Sequence, residues 1–149
     1  MEVALENISD PESKDKSKLM ILIVEDDFAS FRVLKEYLSE YGDCSVAVNG
    51  IEAVEAFRNA SDKGRPYDMI CLDIMLPEMN GLLALEQIRR IKQECGTRQS
   101  DSIKVIVTTA MDDSDDIIKA FKEGCRAYIV KPITREKLFA EMRKLSLIK

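Results

Sequence analysis

LMILIVEDD, residues 19–27, sets six apolar residues in a row against three acids. A continuous apolar run that stops at acids is the pattern expected of a strand buried on both faces, as in a parallel sheet covered by helices. Before it, residues 1–18 are polar, carry Pro11 and run through Lys14, Lys16 and Lys18. They hold too little apolar surface to offset the entropy of ordering, so a flexible extension is expected there, with one domain over 19–149.

After it, helical and strand-like patterns alternate to the end of the chain. Phe28, Phe31, Leu34, Leu38 and Tyr41 recur at helical spacing, and Gly42 is expected to cap that helix. CSVAV (44–48) reads as a second strand, and Asn49 as the cap of a helix whose apolar face is Ala53, Val54, Phe57 and Ala60. MICL (69–72) is a third strand, stopped by Asp73. Pro77, Asn80 and Gly81 then mark a loop before a helix with Leu82, Leu85, Ile88 and Ile91 on one side. The polar stretch QECGTRQSDS (93–102) separates it from a fourth strand, IKVIVT (103–108). Asp112 to Ser114 offer caps for a helix carrying Ile117, Ala120 and Phe121, which ends at Gly124. AYIV (127–130) is a fifth strand, and Thr134 can cap a last helix with Leu138, Met142 and Leu145 inward. Strict alternation of five strands and five helices predicts an α/β fold, a doubly wound parallel sheet with helices on both faces.

Composition removes whole classes of chemistry. The 149 residues include no histidine, which excludes a Ser-His-Asp or Cys-His pair, a histidine phosphocarrier and histidine-ligated zinc. A net charge of −5 argues against direct nucleic-acid binding. No apolar run is long enough for a membrane span and no secretory signal precedes the first strand, so a cytoplasmic protein is expected. Cys44, Cys71, Cys95 and Cys125 are widely spaced and form no CxxC motif, which fits reduced thiols.

In an open parallel sheet, ligands bind beyond the carboxyl ends of the strands, where strand order reverses. The residues at those ends are Glu25-Asp26-Asp27, Asp73, Thr108-Thr109-Ala110 and Lys131-Pro132. Singly each has an ordinary structural reading: a helix cap, a turn residue, a Lys-Pro turn. Together they describe a site. In the order 2-1-3-4-5 the first and third strands are neighbours, so their terminal carboxylates converge. Such a cluster suits a hard divalent cation such as Mg²⁺, and one carboxylate can then act as a nucleophile towards phosphorus. Lys131 and Thr109 offer donors for the phosphoryl charge at the same edge.

The motifs ILIVEDD (21–27), MICLDIMLPEMNG (69–81), VIVTTA (105–110) and AYIVKPIT (127–134) make the chain resemble the receiver domain of two-component response regulators, of the stand-alone chemotaxis-regulator type. The resemblance covers Lys18 to about Ile148. It implies a five-stranded flavodoxin-like three-layer sandwich. It implies a phosphorylation-dependent switch rather than an enzyme, self-catalysing only phosphoryl acceptance and autodephosphorylation. By resemblance, Asp73 is the phosphoacceptor. Glu25 and Asp26 are the acidic pair for Mg²⁺ (or Mn²⁺), with Asp26 the direct ligand, and the Met75 main-chain carbonyl is a further ligand. Thr109 and Lys131 meet the phosphoryl group, Tyr128 is the aromatic switch, and Lys131-Pro132 is a cis bond. Asp27 is left as a cap. The implied partners are a sensor histidine kinase or phosphotransfer protein and an unknown output protein.

The sequence also departs from the family pattern. Leu76 and Asn80 replace its usual Met and Asp, the 93–102 loop is long, and Gly124-Cys125-Arg126-Ala127, just before Tyr128, holds no acid. The last point argues against a dimer through the fourth helix, fifth strand and fifth helix, so a monomer or weak dimer is expected. Two rivals share parts of this chemistry. A flavodoxin would need a Ser/Thr/Gly-rich phosphate loop where EDDFAS stands, and a haloacid-dehalogenase-type phosphohydrolase would need a second Asp where Met75 stands.

Overall fold

A computed structural model of the protein describes residues 18–76, 79–95, 103–110 and 114–149. All but Lys18 of the expected N-terminal extension lies outside these residues, as do Pro77, most of the 93–102 stretch and the candidate caps Asp112 and Asp113.

Among the described residues, five strands alternate with five helices: β1 (Leu19–Val24), α1 (Phe28–Leu38), β2 (Gly42–Ala47), α2 (Gly50–Asp62), β3 (Met69–Asp73), α3 (Gly81–Cys95), β4 (Lys104–Thr109), α4 (Ser114–Lys122), β5 (Ala127–Val130) and α5 (Arg135–Lys144). The strands form one parallel sheet in the order β2-β1-β3-β4-β5. All five therefore point their carboxyl ends at the same edge.

Alternation along each strand divides the core in two. Leu22, Val24, Ile70, Leu72, Val105 and Val107 face one layer and pack with Phe57 of α2, Leu85 and Ile88 of α3 and Ala120 of α4. Ile21, Ile23, Cys71, Ile106 and Ile129 face the other, against Leu34 and Leu38 of α1 and Leu138 and Met142 of α5. The apolar run that opens the fold is thus split residue by residue between two helical layers, which is why it lacks an alternating polar face.

Caps set several helix starts. Asp27 accepts from Ser30 N–H at the head of α1, Asn49 from Glu52 N–H at α2 and Thr134 from Lys137 N–H at α5. Asn80 does the same for α3, its Oδ1 accepting from Leu83 N–H at 2.9 Å. An Asn serves there as well as an Asp, since only the acceptor oxygen is used. Asp68 ties two strands together, its carboxylate accepting from Met20 N–H at 2.8 Å.

The structure corrects three local expectations. Gly42 is not the cap of α1, which ends at Leu38 with Ser39 as its cap. It opens β2, level with Leu19, where an added Cβ would overlap the Leu19 carbonyl. Glycine is needed there for close approach of two backbones. The second strand accordingly begins two residues before 44 and ends at Ala47, leaving Val48 outside it and exposed. Phe28 and Phe121, placed on apolar faces by periodicity, are 71% and 44% exposed. Phe28 begins α1, and its ring meets Phe31 and the Arg32 guanidinium rather than the sheet.

The free thiols of Cys71 and Cys125 are buried, which pushes them up to about 12 and about 11 respectively. Cys44 is half-buried, and the Cys95 side chain lies outside the description. Among the described residues, no helix is long and apolar enough to cross a membrane.

Gly42→Ala should destabilise the fold by about 1–3 kcal/mol, because the new methyl group must push the β1 and β2 backbones apart. Urea unfolding measures it, and a loss below about 0.5 kcal/mol, the range of a neutral surface change, would refute the close-approach role.

Candidate phosphorylation site

Glu25 and Asp73 follow the register of neighbouring strands to one point. Glu25 is the first residue beyond β1, held there by its N–H to Ala47 carbonyl bond at 3.0 Å. Asp73 ends β3, beside Thr108 of β4. Both side chains are buried, Glu25 with 1% and Asp73 with 4% of its surface exposed. One carboxylate oxygen from each of Glu25, Asp26 and Asp73 lies within 4.8 Å of the others.

Lys131 enters from the loop after β5. Its backbone N–H donates to the Thr109 carbonyl at 2.7 Å, which aims the side chain back across β4. Its Nζ donates to Glu25 Oε1 at 2.8 Å and to Asp73 Oδ2 at 3.1 Å. The other oxygen of each acid is also engaged. Asp27 N–H donates to Glu25 Oε2 at 3.1 Å, and Met75 N–H to Asp73 Oδ1 at 2.9 Å. These bonds fix both carboxylates before any ligand arrives.

The loop behind Asp73 is shaped by Gly81, whose N–H donates to the Ile74 carbonyl at 3.1 Å. A Cβ on Gly81 would collide with the Ile74 and Asp73 backbone, so the start of α3 closes tightly behind the acid. Sequence reading marks Gly81 only as a loop residue. Its contact with Asp73 depends on the return of the chain, which no local pattern carries.

Titration follows burial. Desolvation raises the Glu25 carboxyl above its ordinary range, against the lowering effect of its bonds to Lys131 and Asp27. For Lys131, desolvation pulls the ammonium down, but its bonds to Glu25 and Asp73 outweigh this and the net shift is upward. The partners move in the same direction because desolvation wins on the fully enclosed carboxylate and pairing wins on the less buried ammonium.

The remaining candidates sit as follows. Asp26 is exposed, and its carboxylate has no hydrogen bond or ion pair among the described residues. Asp27 points away, capping α1 with both the backbone N–H and hydroxyl of Ser30 donating to its Oδ2. Thr109 is buried at the end of β4, one residue past the partner of Asp73. Met75 is exposed. The Lys131-Pro132 peptide is cis. Tyr128 lies on β5 with 39% of its surface exposed, its ring edge-to-face with Phe121 at 6.2 Å between centroids. Periodicity misses that contact because it places Phe121 inward.

The sequence profile of the response regulator receiver domain matches residues 21–143. The chemotaxis protein CheY of Thermotoga maritima is 31% identical over 128 residues, covering 85% of this chain and 96% of the relative. The chain belongs to the response regulator receiver domain family. Phosphorylation-dependent signalling is the general function of that family. The same module occurs inside far longer proteins: the osmosensing histidine protein kinase SLN1 of Saccharomyces cerevisiae is 30% identical over 129 residues, and this chain spans only 10% of its length.

Solved receivers share the fold. A CheY-like receiver from Methanospirillum hungatei superposes with a TM-score of 0.73 at 26% identity, over 87% of this chain and 95% of that one. The receiver domain of a Pseudomonas aeruginosa sensor histidine kinase gives 0.68 at 25% identity, over 87% of this receiver and 98% of that chain, and it holds a magnesium ion in its active-site cleft.

The raised Glu25 carboxyl fixes the sign of a pH effect. A folded state that holds this proton more tightly than the unfolded chain loses stability as pH rises from the ordinary glutamate value through the raised one. In buffer free of divalent ions, the stability of wild type relative to Glu25→Gln should therefore fall as pH rises above the ordinary glutamate value of 4.5. Urea titrations of both proteins at each pH measure the difference. A difference that grows with pH would show that Lys131 overcompensates burial.

Proposed function

We propose that this receiver is a protein-signalling switch charged on Asp73 by the phosphohistidine of a sensor kinase or phosphotransfer protein. The observation that carries the reading is the charge arrangement at the sheet edge. Three carboxylates from two neighbouring strands converge and a single ammonium, Lys131, is shared by two of them. The excess negative charge and all-oxygen donor set fit a hard divalent cation, Mg²⁺ or Mn²⁺. Glu25, Asp26, Asp73 and the Met75 carbonyl would hold it. Asp26 is the acid with no other partner among the described residues, which suits direct ligation. When bound, the cation supplies charge neutralisation at the acceptor and at the incoming phosphoryl oxygens.

In the transfer, a carboxylate oxygen of Asp73 attacks phosphorus. The phosphorus–nitrogen bond of the donor breaks, its electron pair stays on the imidazole, and an aspartyl-phosphate remains. Lys131 then exchanges a carboxylate for a phosphoryl oxygen, and Thr109 supplies a hydroxyl from the adjacent strand end. Tyr128 couples that movement of Thr109 to the α4–β5 face, through which an output protein is engaged. Autodephosphorylation reverses the charge when water attacks phosphorus, releasing inorganic phosphate and restoring the Asp73 carboxylate. The setting is the cytoplasm.

Asp73→Asn should abolish acid-stable, base-labile label from radiolabelled acetyl phosphate, because the amide is not a nucleophile. Label retained on that variant would overturn the assignment. Asp26→Ala should weaken Mg²⁺ binding at least tenfold more than Asp27→Ala, whose carboxylate is already spent on Ser30. Equal losses would shift the ligand assignment by one residue.

The lifetime of the phosphorylated state depends on what flanks the line of water attack. Met75 and Met111 stand two residues after Asp73 and Thr109, the latter methionine outside the described residues. Neither can orient a water, so slow hydrolysis is expected. Met75→Asn combined with Met111→Glu should shorten the half-life severalfold, measured as phosphate release in Mg²⁺. An unchanged half-life would mean that water access at these positions does not limit the rate.

A further inference from the structure

The amino-terminal edge of the sheet, opposite the acidic site, carries a second group of side chains that the phosphorylation chemistry leaves unused. A cavity of about 390 Å³ lies there between the end of α2 and the starts of β1 and β3. Its apolar wall includes Met20, Ala56 and Ala60, and Tyr67, Lys63 and Arg65 also line it. The local backbone explains why two cations share this rim. Gly64 takes a positive φ of 75°, and Arg65 N–H then donates back to the Ala60 carbonyl at 2.9 Å, closing the end of α2. Lys63 and Arg65 are left on either side of that turn, and two residues later Tyr67 turns inward.

Three features point to a ligand. Lys63 and Arg65 form no ion pair among the described residues, although the chain carries 27 acids against 22 bases. Asp68, which follows Tyr67 in the chain, accepts from Met20 N–H through Oδ2 and pairs with neither cation among the described residues. Tyr67 is only 7% exposed, yet its hydroxyl has no hydrogen-bond partner among the described residues. A hydroxyl on so enclosed a side chain, with no partner among the described residues, is a ready donor to a molecule in the cavity it lines. A pocket of this volume, open to solvent and lined by apolar and basic side chains, can seat a small molecule that carries an anionic group.

We propose that this cavity binds a small amphipathic anion, an apolar body about one or two rings in size bearing a carboxylate or a phosphate. The apolar body covers Met20, Ala56 and Ala60. The anionic group lies between Lys63 and Arg65 and accepts from the Tyr67 hydroxyl. The site is independent of Asp73 and of the metal-binding acids, which lie at the opposite edge of the sheet.

The test is a ¹H–¹⁵N NMR titration of the full chain with four probes: 2-naphthyl phosphate, 2-naphthoate, 2-naphthylmethylamine and inorganic phosphate alone. Saturable shifts of the Ala56, Ala60, Gly64, Arg65 and Tyr67 amides are expected with one or both naphthyl anions, and the tighter of the two identifies the head group. The amine and inorganic phosphate should bind at least tenfold more weakly, since each lacks one half of the recognition. Lys63→Met with Arg65→Met should weaken the naphthyl anion at least tenfold. The isosteric Tyr67→Phe should weaken it severalfold with the rest of the spectrum unchanged, which separates loss of the hydroxyl from loss of the fold. The proposal is overturned if the amine binds as well as the anions, if anion-induced shifts appear only around Asp73, if no probe saturates, or if the double methionine variant binds undiminished.

Discussion

The Lys131 ammonium, set between the Glu25 and Asp73 carboxylates, is the interaction on which the acidic site depends. It joins residues 106 and 58 positions apart in the chain and lies at the edge where three strands end. Two buried carboxylates at this separation repel each other by about 4 kcal/mol at an effective dielectric constant near 20. A shared cation turns that repulsion into a bridge. The raised Glu25 carboxyl shows that burial still outweighs this compensation on the fully enclosed acid. Three converging carboxylates against one ammonium leave an excess of acid at this edge, an arrangement that suits further positive charge.

The sheet makes this possible through parallel pairing alone. Because every crossover returns through a helix, all strands run the same way and discharge their polar residues at one edge. The same alternation that buries Ile21 and Ile23 under α1 and α5 buries Leu22 and Val24 under α2 and α3. After β1 the acids begin at Glu25, the first position beyond the strand. Its backbone is still held by β2 through Ala47, which keeps the carboxylate in place despite lying beyond the strand.

Away from the acids, distinct contacts tie the end of α4 to its neighbours. Arg89 of α3 donates to Glu123, just past the end of α4, at 2.8 Å, and Phe121 meets Tyr128 edge-to-face. Ile118, Phe121 and Tyr128 are all substantially exposed. The ion pair therefore lies on one side of this element and exposed apolar side chains on the other. The opposite sheet edge differs in chemistry, with Lys63 and Arg65, which form no ion pair among the described residues, beside Met20, Ala56 and Ala60.

Much of this was legible from the amino-acid order because the governing rules are local or periodic. Apolar runs bounded by acids located the strands, helical spacing located the helices, and Asp, Asn and Thr marked their first turns. The alternation of these elements dictated the sheet, and the sheet dictated that Glu25, Asp26, Asp73, Thr109 and Lys131 gather at one edge. Tertiary structure decided what no local pattern records. Gly42 resembles a helix cap in sequence, yet only the pressing of the Leu19 carbonyl against it explains the absent side chain. Phe121 falls on an apolar helical row, but the row is wider than the surface available to cover it, and the ring turns to Tyr128 instead. Whether Lys131 would be a free donor or a bridge was likewise undetermined, since that depends on the ångström-scale separation of two carboxylates delivered by different strands. Periodicity sets which way a side chain points. Only packing in three dimensions sets what it meets there.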